Sequence, residues 1–204
     1  MEKYLLELLE QENFDFNKSN NDEIEKIKNA IDKAWETRDF EIKLYWQRAL
    51  YFWGFIALAF YAPFAILNLE QDFISYPIIN KFFFVTIVCI LGSFLSFAWY
   101  LANRGSKYWQ ENWERWINIL EKYKYGKLYS TTFDEKDIDT SIIRAGRYSL
   151  SRINIIISLI ITIAWFLAAV FASINIIDTH NVCAPIITIL IIGILDLFLY
   201  FNVR

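Results

Sequence analysis

The chain has 204 residues, 56% apolar and 21% charged, with a net charge of -3. Its mean hydropathy is positive, +0.27; an apolar share above the roughly 45–50% of soluble domains, beside an ordinary charge content, requires long uncharged blocks set apart from charged ones. Aromatic residues at 19% exclude a disordered chain, two cysteines exclude a disulfide scaffold, and the small net charge argues against a nucleic-acid partner.

Residues 1–48 read as a cytoplasmic N-terminal helical segment. Tyr4, Leu5, Leu8 and Leu9, set against Glu7 and Glu10, suit a short acidic amphipathic helix. From Asn21 neither Gly nor Pro occurs until Gly54, and Ile24, Ile27, Ile31, Ala34/Trp35, Ile42 and Tyr45/Trp46 recur at the spacing of one helix face. Arg38 interrupts that stripe. Asn20 or Asn21 suits the N-cap, and Asp22 with Lys26 and Asp39 with Lys43 stand four apart in the supportive order. The spacing predicts one helix from about residue 22 through the first span to about residue 62 or beyond, a rod of roughly 60 Å. Its Ile31, Trp35 and Trp46 need a cover: other helices of this chain or its copies, or the groove of a different protein.

Residues 49–102 read as a first transmembrane hairpin, with spans at Ala49–Leu67 and Phe82–Ala102 bounded by charges at Arg48, Glu70, Lys81 and Arg104. These lengths match the roughly 20 residues that cross the hydrocarbon layer, and their unbroken apolarity excludes the alternation of a β-barrel strand. Pro63 is expected to kink the outer end of the first span.

Residues 103–152 read as a cytoplasmic connection. Gly105 is expected to end the membrane helix and Ser106 to cap a new one running to about Lys124. Trp109, Trp113 and Trp116 then share a face with Leu120, while Glu111 pairs with Arg115 on another. That aromatic face either lies in the headgroup plane or packs on the 22–48 helix. Residues 125–141 carry Asp134, Glu135, Asp137 and Asp139 without the spacing of a calcium loop, and read as a solvated linker. The third membrane helix is expected to start near Ser141, with Arg144, Arg147 and Arg152 as a basic collar.

Residues 153–204 read as a second transmembrane hairpin, with spans at Ile153–Ile177 and from about Pro185 to Tyr200. Asp196 is its one ionisable side chain within a span. Such a group faces protein or water. Three readings stand: it accepts hydrogen bonds from Tyr200, Thr188 or a neighbouring helix; it lines a pore or proton path; or it reaches the inner interface and is solvated. Small and polar residues recur at helical spacing at Cys89, Gly92/Ser93 and Ser96, and at Asn154, Ser158 and Thr162, the residue types through which helices approach in lipid. Either stripe is also a candidate border of a water-filled path.

Basic residues set the orientation. Eight lie in 1–48 and ten in 103–152, against Lys81 alone between the first two spans and none in 178–184. Both termini and the central connection are therefore expected on the cytoplasmic side, with the first span an uncleaved anchor. The two cytoplasmic segments have net charges of -4 and +3, which suits mutual docking. The depths of Cys89 and Cys183 disfavour a bridge between them. The sole histidine, His180, excludes two-histidine zinc sites; Asp178, His180 and Cys183 read as a plain outer loop, and no phosphate loop or nucleophile elbow occurs. No catalytic, cofactor or metal site is expected.

Three segments carry a family likeness: Lys33-Ala34-Trp35-Glu36 through Arg38-Asp39-Phe40-Glu41-Ile42 and Leu44-Tyr45-Trp46 to Phe52-Trp53; Ala98-Trp99-Tyr100-Leu101 to Asn103-Arg104-Gly105-Ser106-Lys107-Tyr108-Trp109-Gln110-Glu111-Asn112-Trp113-Glu114; and Tyr148-Ser149-Leu150-Ser151-Arg152-Ile153-Asn154. Together they resemble the RipA family of octameric bacterial membrane proteins over roughly residues 30–175. The resemblance implies an inner-membrane homo-octamer with cytoplasmic ends and no established enzyme activity, whose founding member is linked to growth inside host cells. The chain thus reads as an all-α integral membrane protein with four transmembrane helices and long cytoplasmic helical extensions. Its expected role is a non-catalytic membrane scaffold or envelope/host-adaptation factor, the alternative being an oligomeric channel or transporter with Asp196 in an ion or proton path. Its expected partners are the lipid bilayer and copies of itself.

Overall fold

A computed structural model describes residues 21–69, 81–126, 128–129, 131, 148–176 and 183–203. Four long helices account for nearly all of them: α1 (Asn21–Leu67), α2 (Lys81–Leu120), α3 (Leu150–Ile174) and α4 (Cys183–Val203), with a short 3-10 turn at Glu121–Tyr123 after α2. All four contain a stretch long and apolar enough to cross a membrane. The helix expected in the first residues, the acidic linker from Asp134 to Asp139, the collar at Arg144 and Arg147, and the loop with Asp178 and His180 lie outside the described residues.

The chain divides into two compact units, one from Met1–Tyr45 with Ser106–Ser149 and one from Trp46–Gly105 with Leu150–Arg204. In the second, the membrane unit, each helix turns one narrow face inward. On α1 the buried positions are Ala49 and Ile56; on α2 they include Val85, Thr86, Cys89, Ser93, Ser96, Trp99 and Asn103; on α3 they are Asn154, Ser158, Thr162, Trp165, Ala169, Ala172 and Ser173; on α4 they are Thr188 and Ile192. The three- and four-residue steps are those of a helix face. These inward residues are mostly small or hydroxyl-bearing, whereas Ile156, Ile160, Leu167 and Phe171 of α3 and Ile194, Leu197 and Phe198 of α4 are exposed. Lipid solvates Leu and Ile as well as a protein core does, so close approach through small residues decides which face turns in. Lys81 ties the α1–α2 connection by donating to the carbonyls of Leu67, at 3.3 Å, and Leu69.

Two boundaries differ from expectation. Gly105 does not end the membrane helix, because α2 runs unbroken from Lys81 to Leu120. A mid-helix glycine costs only about 1 kcal/mol, less than the packing held by its buried neighbours Asn103 and Ser106. Conversely, Tyr148 and Ser149 are not helical and α3 starts at Leu150, not near Ser141. Ser149 occupies the N-cap position, where its residue type is favoured. Pro63 lies inside α1, which continues to Leu67.

α2 and α3 approach closely at Gly92. A Cβ there would meet Trp165 Cδ2 at 2.5 Å and Cε2 at 2.8 Å, so only glycine lets the indole lie flat on α2. Gly92→Ala is expected to destabilise the protein by about 1–3 kcal/mol, as overpacking does, read as a lower thermal unfolding midpoint in detergent; in a Trp165→Leu background the same change costs less.

Candidate functional sites: a helix-pair unit and an intramembrane polar seam

In the first unit, Ile27 and Ile31 of α1 and Leu120 of α2 form a fully buried cluster, with Ala30, Trp35, Trp116 and Tyr123 packed around it. The Ile27–Ile31–Trp35 part of the α1 stripe is thereby covered within the chain. Arg38, which breaks the stripe, lies over the Trp35 ring at 5.2 Å and donates to Glu114 Oε1 at 3.4 Å. A charge sits among the apolar positions because its partner is on the facing helix. Lys124 donates to both carboxylate oxygens of Asp32, and this bonding raises the Lys124 pKa. Glu36 is held below the usual carboxylate range by the hydrogen bond and charge of Lys33, one turn back at 2.8 Å. The Lys33–Glu36 pair is exposed and contributes little stability, whereas Arg38 with Glu114 is part-buried.

The aromatic face of α2 is split. Trp116 joins the α1 cluster, Trp113 is half-buried, and Trp109 is 50% exposed beside Tyr108 at 64%, their rings edge-on at 5.5 Å. The residues turned inward are instead Ser106, Gln110, Ile117 and Leu120. Glu111 pairs with Lys107 at 3.3 Å, in place of the expected Arg115. Trp46 is exposed as well.

Two side chains that the sequence did not single out complete this unit. Tyr129 packs tilted against Trp35, with ring centroids 4.5 Å apart, and its backbone N–H donates to Glu121 Oε2 at 2.6 Å. Glu121 is 1% exposed, a carboxylate buried at the end of α2. Trp35, Arg38, Glu114, Ile117, Asn118 and Tyr129 border an open cleft of about 260 Å³. Only the contact across the chain, not any local pattern, marks Tyr129 and Glu121.

In the membrane unit, both predicted small-polar stripes are buried. Thr86, Ser158, Thr162, Ser173 and Thr188 donate to carbonyls of their own helices at 2.7–3.0 Å. Asn103 of α2 donates to Asn154 O and Ser158 Oγ of α3, both at 3.4 Å. Asp196 is half-buried, and its Oδ1 has no hydrogen-bond partner among the described residues. Of the donors expected for it, Thr188 bonds Ala184 O instead; the Tyr200 ring packs edge-on against Phe201. Trp99 and Trp165, silent in an unbroken apolar run, are the large inward residues, edged by Trp53 at 6.5 Å and Phe60 at 4.6 Å respectively. Cys89 and Cys183 are both free thiols.

Four long apolar helices folded on a small-polar interior define a multi-pass α-helical membrane protein. The chain belongs to the octameric membrane protein family (8xMP), whose profile matches residues 28–174. Comparisons with curated proteins and with solved structures gave no match.

Removing the Glu121 carboxylate strands the Tyr129 amide. Glu121→Leu is therefore expected to cost about 1–3 kcal/mol and to open residues after Tyr123 to limited proteolysis. Glu121→Gln, which keeps an acceptor oxygen, is expected to cost less, and unfolding midpoints of the two variants check the order.

Proposed function

We propose that the chain is a non-catalytic, homo-octameric scaffold of a bacterial inner membrane, of the RipA type, with both termini and the helix-pair unit on the cytoplasmic side. The family's octameric character supports self-association, and the distribution of Lys and Arg supports the orientation. One observation carries the reading of how copies meet. Once Ile31 and Trp35 are consumed by packing within the chain, the exposed aromatic surface on the α1 and α2 helices of this unit is Phe40, 56% exposed, with Tyr108 and Trp109. Exposed Trp and Tyr are the residue types that dominate interface energetics, and a neighbouring copy is the partner that octamer formation supplies. An envelope or host-adaptation role follows the same resemblance and adds no chemistry of its own.

Phe40→Asp and Trp109→Ala are expected to shift the octamer toward smaller species in detergent, each weakening association by about 2 kcal/mol, with helicity unchanged. Ile31→Asp, Trp35→Ala and Trp113→Ala are expected to act indirectly, by loosening the helix pair. Native mass spectrometry and circular dichroism separate the two effects, and octamers intact in all five variants sink the proposal.

The unpartnered Asp196 oxygen favours a second reading, an oligomeric channel or transporter with Asp196 in an ion or proton path. On that reading proteoliposomes show ion flux that Asp196→Leu abolishes without loss of octamer; no flux across pH and voltage removes it.

A further inference from the structure

The helix-pair unit holds an open cleft of about 260 Å³ between α1, α2 and the segment that carries Tyr129. The Trp35 and Tyr129 rings wall it, tilted against each other with centroids 4.5 Å apart, and the buried Ile117 adds aliphatic surface. Arg38, Glu114 and the exposed carboxamide of Asn118 complete the border. The volume is below the roughly 300–1,000 Å³ of drug-sized ligand sites, so the cleft suits a small molecule and neither a nucleotide nor a folded peptide.

Charge restricts the class further. Arg38 Nη2 and Glu114 Oε1 stand 3.4 Å apart, with side chains 25% and 44% exposed, and Arg38 Nη1 makes an equally long contact with Asp39. These separations exceed the roughly 2.7–3.2 Å of ordinary N–H···O bonds. A guanidinium has five donors and a carboxylate about four acceptor sites, so the pair keeps hydrogen-bonding capacity of both signs at the cleft. A simple anion is opposed by Glu114 and Asp39, and a simple cation by Arg38. A zwitterion is attracted at both ends. In an α-amino acid the ammonium and carboxylate share one carbon and lie roughly 3 Å apart by backbone bond lengths, close to the spacing of Arg38 and Glu114. Such a molecule closes a ring of four alternating charges without breaking the protein's own pair.

A zwitterionic lipid headgroup shares this chemistry but not the location. About 17 Å of helix separates Arg38 from Ala49 on α1, and about 18 Å separates Ala102 from Glu114 on α2, more than the roughly 5–8 Å depth of a headgroup layer.

We propose that the cleft binds one free α-amino acid with an apolar or aromatic side chain in each protomer. Its carboxylate is held by Arg38, its ammonium by Glu114, and its side chain packs against Trp35, Tyr129 and Ile117. The site is the same whether the octamer is a scaffold or conducts ions.

Isothermal titration calorimetry on the full-length octamer in detergent tests this with L-phenylalanine and L-leucine, each beside the amine that lacks its carboxylate and the acid that lacks its ammonium. The expected result is saturable binding of at least one amino acid at one site per protomer. Its amine and acid analogues are expected to bind about tenfold more weakly or worse, the loss of one charge-assisted hydrogen bond. Glu114→Gln, in octamers of unchanged mass and helicity, is expected to weaken the amino acid by a similar factor and to narrow its advantage over the acid analogue. The analogue series needs no substitution, so it decides the matter even where Glu114→Gln disturbs the helix pair. Absence of saturable binding by both amino acids overturns the proposal, as do analogues that bind equally well or an amino-acid affinity unchanged in intact Glu114→Gln octamers.

Discussion

The fold depends on a constraint imposed by hydrocarbon, which offers no hydrogen bond to any polar group placed in it. Helices answer that constraint for the backbone, and the membrane unit extends the answer to side chains. Thr86, Ser158, Thr162, Ser173 and Thr188 each return their hydroxyl to their own helix. A polar interior assembled this way costs little, and its small side chains let backbones approach. Gly92 under the Trp165 ring is one such approach. The resulting inversion, with Ile, Leu and Phe outward and Ser, Thr, Asn and Gly inward, is the arrangement lipid favours.

Outside the spans water restores the ordinary rule, and the helix-pair unit obeys it. Ile27, Ile31 and Leu120 are buried against one another while Asp32, Lys124, Lys33 and Glu36 pair at the surface. α2 thus turns Ile117 and Leu120 inward in one unit and Ser93, Ser96 and Asn103 in the other. What changes along each helix is the surroundings that decide which face is buried.

The spans were legible because length and charge alone define them: Arg48, Lys81, Arg104 and Arg152 bracket runs that nothing else interrupts. The small-residue stripes were legible too, since Cys89, Ser93 and Ser96, and Asn154, Ser158 and Thr162, stand out against Ile and Leu. Gly105 misled because a local preference of about 1 kcal/mol competes with packing on both sides of it. The Trp109–Trp113–Trp116 spacing described a face correctly but not its use, since the side that turns inward is set by where α1 lies, through contacts such as Arg38 with Glu114. Trp99 and Trp165 continue those stripes three residues beyond Ser96 and Thr162, but an indole among apolar residues does not by itself show that it turns inward. Glu121 and Tyr129 become partners only through tertiary contact.

The two ways hydroxyls are used on these helices have a consequence for biogenesis. A threonine bonded to its own backbone carries its partner along, so α3 and α4 can enter the bilayer singly with Thr162 and Thr188 already satisfied. Ser93, Ser96 and the indole of Trp99 lack such a partner on α2. α2 therefore meets the bilayer with three polar groups that its own backbone does not satisfy, and crossing singly costs it more than a span whose hydroxyls are all bonded within the helix.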